Sequence, residues 1–200
     1  MNSANTPLLP PPAQPATRIV DEFGQECHRV HTHWQMLKYL FDENPDLDVL
    51  KAPHYEHFFA AIKSSLYDSF VQGVARLHDP SVMRGDETLT VNYIVDHIQW
   101  DAASKANLDQ LRRKMKSVVD KLKPARNKFT VHNDLQTILQ QPPLAVFGKT
   151  EDTQYFATLE EFVSVAQGER FLFDNHVPND VAFFMTAFNR GRIGGDLTEF

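Results

Sequence analysis

The stretch AASKANLDQLRRKMKSVVDKLK, residues 102–123, decides the fold class. Its apolar residues fall at Leu108, Leu111, Met115, Val118 or Val119, and Leu122, three or four apart. That spacing lines one face of a helix and leaves the opposite face to lysine, arginine and aspartate. Asp101 stands where an N-cap belongs, its carboxylate placed to accept from the free N–H groups of the first turn. At the other end Pro124 is expected to break the helix and to start another, running to about Gln140 with Phe129, Leu135, Ile138 and Leu139 turned inward.

The same period recurs upstream. Ile19, Phe23, Val30, Trp34, Leu37 and Phe41 predict a helix over residues 18–41, interrupted by Asn44-Pro45-Asp46. Phe58, Phe59, Ile62, Leu66, Phe70, Val74 and Leu77 predict a second, from about Pro53 to His78. Asp79-Pro80 and a turn around Gly85 close it, and a short helix follows over 90–100. Pro142-Pro143 marks a boundary, and residues 144–155 stay open between loop and short strand. Thr158-Leu159-Glu160-Glu161 reads as a capping box opening a further helix, and Pro178 with Asn179-Asp180 begins a last one that ends near Gly191. The expectation is an all-α, up-and-down bundle of four main helices over 18–140, with a C-terminal helical extension over 141–200. Residues 1–17 hold five of the twelve prolines and read as an extended, disordered tail.

Composition narrows the function classes. No run approaches the roughly 18 apolar residues of a membrane span, and the start lacks the basic and apolar regions of a secretory signal. A single cysteine, Cys27, excludes an intrachain disulfide and points to a reducing, cytoplasmic setting. The net charge of −6 argues against a bulk nucleic-acid coat. Locally the balance reverses, since residues 112–128 carry eight basic side chains against one acid, Asp120. That run is either a solvated helix face or a phosphate-attracting stripe, and charge alone does not choose. The pairs His28/His31 and His54/His57 share helix faces at i, i+3, but Glu26 and Glu56 sit at the wrong offsets for a bundle metal site. No metal and no cofactor is expected. The glycines around Arg192 lack the preceding strand that a phosphate loop requires.

The chemically specific segment is Arg126-Asn127-Lys128-Phe129-Thr130-Val131-His132. An arginine can grip a phosphate with two prongs, and a neutral histidine can take a proton near neutral pH. On an undistorted helix, roughly 100° per residue sets the two about 240° apart. Convergence therefore needs Arg126 in the first turn after Pro124, where free N–H groups also favour an anion. Two other roles remain open: an ion pair between Arg126 and Asp79 or Asp134, and a hydrogen bond of His132 within the bundle. Arg76 and Asp79, three apart, read as an intrahelical ion pair or as a support that holds Arg126 or His132.

Arg126, Asn127 and His132 together resemble the R-x(4–6)-H motif of the HEPN superfamily (higher eukaryotes and prokaryotes nucleotide-binding). Ala75-Arg76-Leu77-His78-Asp79 and the run from Leu122 to Lys128 resemble its abortive-infection U-type, AbiU2-like branch. The resemblance covers about 18–140. It implies a helical homodimer in which two motifs face each other across a cleft. It also implies a metal-independent endoribonuclease of a phage-defence or toxin–antitoxin system, with RNA as substrate and a cognate antitoxin protein as a further partner. Arg126 and His132 would then be catalytic, with Asn127 and Lys128 on the substrate. Some HEPN proteins keep the fold without the chemistry, so a non-catalytic nucleotide- or protein-binding module is the alternative.

Overall fold

A computed structural model of the chain describes residues 15–125 and 150–194. Helix α1 spans Pro15–Leu37 and opens on a proline, whose missing N–H costs nothing in a first turn. It passes into a π-helical turn, Lys38–Asp42. There the buried Asn44 donates to the Leu40 carbonyl (3.0 Å) and accepts from the Asp46 N–H (2.9 Å), so its amide reverses the chain. A single helical turn, α2 (Leu47–Leu50), leads to α3 (Glu56–Leu77). The turn expected around Gly85 is a tight hairpin pairing β1 (Val82–Met83) with β2 (Asp86–Glu87). Arg84 (φ 54°) and Gly85 (φ 95°) supply the two positive φ angles that match the strands' twist.

Helix α4 (Val91–His97) is capped by Thr90, whose Oγ1 accepts from the Tyr93 N–H at 3.1 Å. Helix α5 spans Ala102–Ala125, and Asp101 caps it as its position predicts, accepting from the N–H groups of Ala103 (2.9 Å) and Ser104 (3.0 Å). Helix α6 (Glu151–Gln167) ends on Gly168 at φ 72°, the left-handed conformation that glycine adopts without penalty. Helix α7 spans Val177–Gly194. Among the described residues no helix is long and apolar enough to cross a membrane.

Four of these helices close a ring in which α1 packs on α3, α3 on α5, α5 on α6, and α6 back on α1. Their directions alternate. Lys63 of α3 lies over the Phe41 ring while Gly73 meets Val30, so α1 and α3 are antiparallel. Trp34 reaches Asp152 while Gly24 meets Val163, so α1 and α6 are antiparallel too. Lys121, late in α5, pairs with Glu151 at the start of α6. The result is the all-α, up-and-down bundle that the apolar periods predict. Its fourth wall is the helix beyond Pro142-Pro143, because Tyr155, Phe156, Leu159, Phe162 and Val163 turn a continuous buried stripe toward the core. The centre is filled by Phe23 and Phe162, edge to face at 5.8 Å and both fully buried.

Three local expectations fail for identifiable reasons. Thr158 does not cap a helix, since α6 already starts seven residues earlier; its hydroxyl donates to the Gln154 carbonyl one turn back (2.8 Å). Glu160, one residue before the expected partner Glu161, accepts from the Phe173 N–H at 3.0 Å and pins the α6–α7 connection. Pro124 does not end α5 at Lys123, because a proline in the last turn removes one hydrogen bond without unwinding the turns before it. The helix expected from there to Gln140 lies, beyond Ala125, outside the described residues. Phe58, assigned to the core stripe, is 64% exposed, while its neighbour Phe59 takes the buried position.

Gly73 sets the α1–α3 distance. A Cβ there would stand 2.7 Å from Val30 Cγ2, and a β-branched valine has little freedom to turn away. Gly73→Ala should therefore lower the melting temperature by a few degrees, overpacking of about 1–3 kcal/mol outweighing the helix-propensity gain of about 1 kcal/mol. Gly191→Ala, in α7 with nothing within 4 Å of its Cβ position, is the control and should leave stability unchanged or raise it. Thermal denaturation followed by circular dichroism compares them, and a rise for Gly73→Ala would contradict the close contact.

Candidate functional site

The end of α3 is knotted to α4 and α5 through one amide. Asn92 Nδ2 donates to the carbonyls of Asp79 (3.0 Å) and His78 (3.4 Å), while Asn92 Oδ1 accepts from Arg112 at 3.4 Å. Arg112, half-buried on α5, also donates to both carboxylate oxygens of Asp96 (3.1 and 2.9 Å) and to Asp109. Lys105 reaches the same Asp96. The first arginine of the basic run is thus a structural tie between helices.

His78 emerges beside this knot. Its Nε2 shares a hydrogen bond with the Tyr155 hydroxyl (3.0 Å), which fixes the ring. Tyr155 is buried, and burial first, then the nearby Cys27 sulfur, hold its pKa well above the ordinary phenol value. It stays neutral and serves as a fixed polar anchor. His78, Asn92, Arg112, Arg113, Lys116 and Asp120 line a cavity of about 280 Å³.

The basic run is partly neutralised. Lys116 pairs with Asp120 one turn on, and Lys121 pairs with Glu151 across the bundle. Arg113 and Lys114 are exposed and make no ion pair among the described residues. Among the cations of the run whose side chains are described, the first arginine is structural, two lysines are paired, and two make no ion pair.

Arg76 and Asp79 face a different cavity, of about 400 Å³, together with Glu26 and Arg29 of α1. Arg29 pairs with Glu26. The Asp79 N–H donates to the Arg76 carbonyl (3.2 Å), so this backbone finishes the last turn of α3. Arg76 and Arg29 together lower the pKa of His33 from its ordinary value, after the larger effect of burial. Arg126, Asn127, Lys128 and His132 lie outside the described residues; Ala125, the last residue of α5, precedes them directly.

The histidine pair weighed as metal ligands has another role in α1. His31 is 5% exposed, stacks on Phe173 at 4.2 Å and meets Phe156 edge-on at 4.9 Å. Burial, then the neighbouring His28, lower its pKa to about 4. Among the described residues no group of three or more histidine, cysteine, aspartate or glutamate side chains is placed to hold a metal ion. Sequence reasoning missed His78 and Asn92 as individuals. His78 stands inside the Arg76–Asp79 segment, but nothing local marks Asn92, and their partners stand 77 and 20 residues away.

The family model for AbiU2, a HEPN family, matches residues 13–177. The chain belongs to the AbiU2 HEPN family. No curated protein and no solved structure shows a significant match to it. The AbiU2 match runs past Pro142-Pro143 and takes in α6, in keeping with that helix being a wall of the bundle.

His31 gives this AbiU2 bundle a defined acid sensitivity. In the unfolded chain it takes a proton near pH 6.5; in the fold, only near 4. Between those values the unfolded state binds more protons, so stability is complete above pH 6.5 and falls as pH drops toward 4. His31→Phe should flatten part of that fall in melting temperature, measured from pH 7 to 4. An unchanged pH profile would show that His31 is protonated inside the fold.

Proposed function

We propose that the chain is an endoribonuclease of an abortive-infection or toxin–antitoxin system, acting in the cytoplasm as a homodimer, with Arg126 and His132 at its active site. The observation that carries this reading is the conjunction of AbiU2 HEPN membership with an arginine and a histidine six positions apart, directly after the basic helix α5. Neutral His132 takes the proton of a ribose 2′-OH, and the oxygen attacks the adjacent phosphorus. The P–O5′ bond breaks, leaving a 2′,3′-cyclic phosphate on one fragment and, once the leaving oxygen is protonated, a 5′-OH on the other. Arg126 binds the non-bridging oxygens and offsets the negative charge that grows on them. Asn127 and Lys128 supply further donors to the same phosphate. The residues named need no metal, and a cognate antitoxin would act by covering them. Arg76 and Asp79 complete the α3 terminus in this scheme, a supporting role.

Purified protein should cut single-stranded RNA in the presence of a chelator, leaving cyclic-phosphate ends detectable by mass spectrometry. His132→Ala and Arg126→Ala should each reduce the rate by about a hundredfold or more. Undiminished cleavage in both variants would overturn the assignment. Saturable RNA binding without turnover in the wild type would make the chain a binding module instead.

A further inference from the structure

We propose that the cavity between the end of α3 and the middle of α5 is a phosphate-binding subsite for RNA, with Arg113 as its principal contact and Lys116 and His78 beside it. The inference rests on the ribonuclease reading for the identity of the polymer, and on the structure for the site. Three observations carry it. The cavity, at about 280 Å³, is small for an organic cofactor and suits a phosphodiester with part of its sugar. Its wall is held in place before any ligand arrives: Tyr155 fixes the His78 ring, and Asp96 and Asp109 hold Arg112, which in turn donates to Asn92. Its charge is also available. Arg113 makes no ion pair among the described residues, and Lys116 is held only by Asp120, an exposed pair one turn apart. Such a solvent-screened pair is weak and yields readily to a phosphate. Asp120, the one acid on the lining, is the local opposition.

The position of the cavity favours RNA over a free anion. From Lys116 to Ala125 the helix advances about 14 Å, so a strand held at the cavity and followed along α5 reaches the end of that helix, which Arg126 follows in sequence, within a few nucleotides. Arg113 then anchors the strand on one side of the cut. An acidic protein segment is the competing ligand, and the ribonuclease reading is what favours RNA over it.

The test uses full-length protein with His132→Ala, which silences cleavage, and a fluorescent single-stranded oligoribonucleotide titrated at several salt concentrations. Arg113→Gln should weaken binding about fivefold and make the slope of log K against log salt shallower by about 0.7, as expected for one lost phosphate contact. Lys114→Gln removes the same charge from the adjacent residue, which does not line the cavity, and should change little. Equal losses in the two variants would mean a diffuse field, and no loss in Arg113→Gln would mean no contact; either overturns the subsite. So would an acidic peptide that binds more tightly than the RNA in an Arg113-dependent way. The subsite and the nuclease fail separately. Arg113-dependent RNA binding by a wild-type protein that never cuts keeps the subsite and removes the nuclease, and cleavage with Arg113-independent binding does the reverse.

Discussion

Val30 of α1 occupies the space that any side chain on residue 73 would need, and the bundle is organised around that contact. On its other side α1 comes close to α6, where a Cβ on Gly24 would lie 3.4 Å from Val163. A helix covered on two sides buries a wide arc, and α1 buries Val20, Phe23, Cys27, Val30 and Leu37 there. The same covering explains His31 and Gln35. Both lie on the buried arc, and each keeps one polar atom, His31 Nδ1 and Gln35 Oε1, without a partner among the described residues. Aromatic packing around His31 and a 2.6 Å hydrogen bond from Gln35 to Asn175 offset part of that cost.

Because α1 fixes the spacing of α3 and α6, it also fixes what happens at the far end of α3. His78 can reach Tyr155 only when α3 and α6 flank α1 at this distance. Asn92 and Arg112 then lock α5 to the same corner. Charges along α5 are consequently sorted by geometry. Arg112 and Lys121 are consumed by neighbouring helices, Lys116 pairs with Asp120 within α5, and Arg113 and Lys114 face outward with no ion pair among the described residues. A composition that is acidic on average is compatible with an RNA-handling face for this reason.

Much of the fold was legible in the apolar periods. The stripe from Leu108 to Leu122 is buried throughout, and the Asp101 cap follows from local chemistry that needs no tertiary context. What was not legible depended on partners distant in sequence. Nothing local distinguishes Phe58 from Phe59; Phe59 is the ring that α7 covers, through Phe184 and Phe188. Thr158 carries a capping signature that the buried stripe from Tyr155 to Val163 overrides. The family was legible as a resemblance that the AbiU2 match bears out, while the Arg126–His132 motif that carried it lies outside the described residues. The knot at the end of α3 was not legible, since the His78–Tyr155 and Asn92–Arg112 contacts join residues that no local pattern connects.

The proposed chemistry depends on one atom of the substrate, the 2′-oxygen next to the scissile phosphate. The most direct measurement replaces that single hydroxyl with hydrogen in an otherwise unchanged oligoribonucleotide and follows cleavage at each linkage. Attack by the 2′-oxygen predicts that scission stops at the substituted linkage while neighbouring linkages are still cut. Undiminished scission at the deoxy position would contradict it, since no cyclic phosphate can form there.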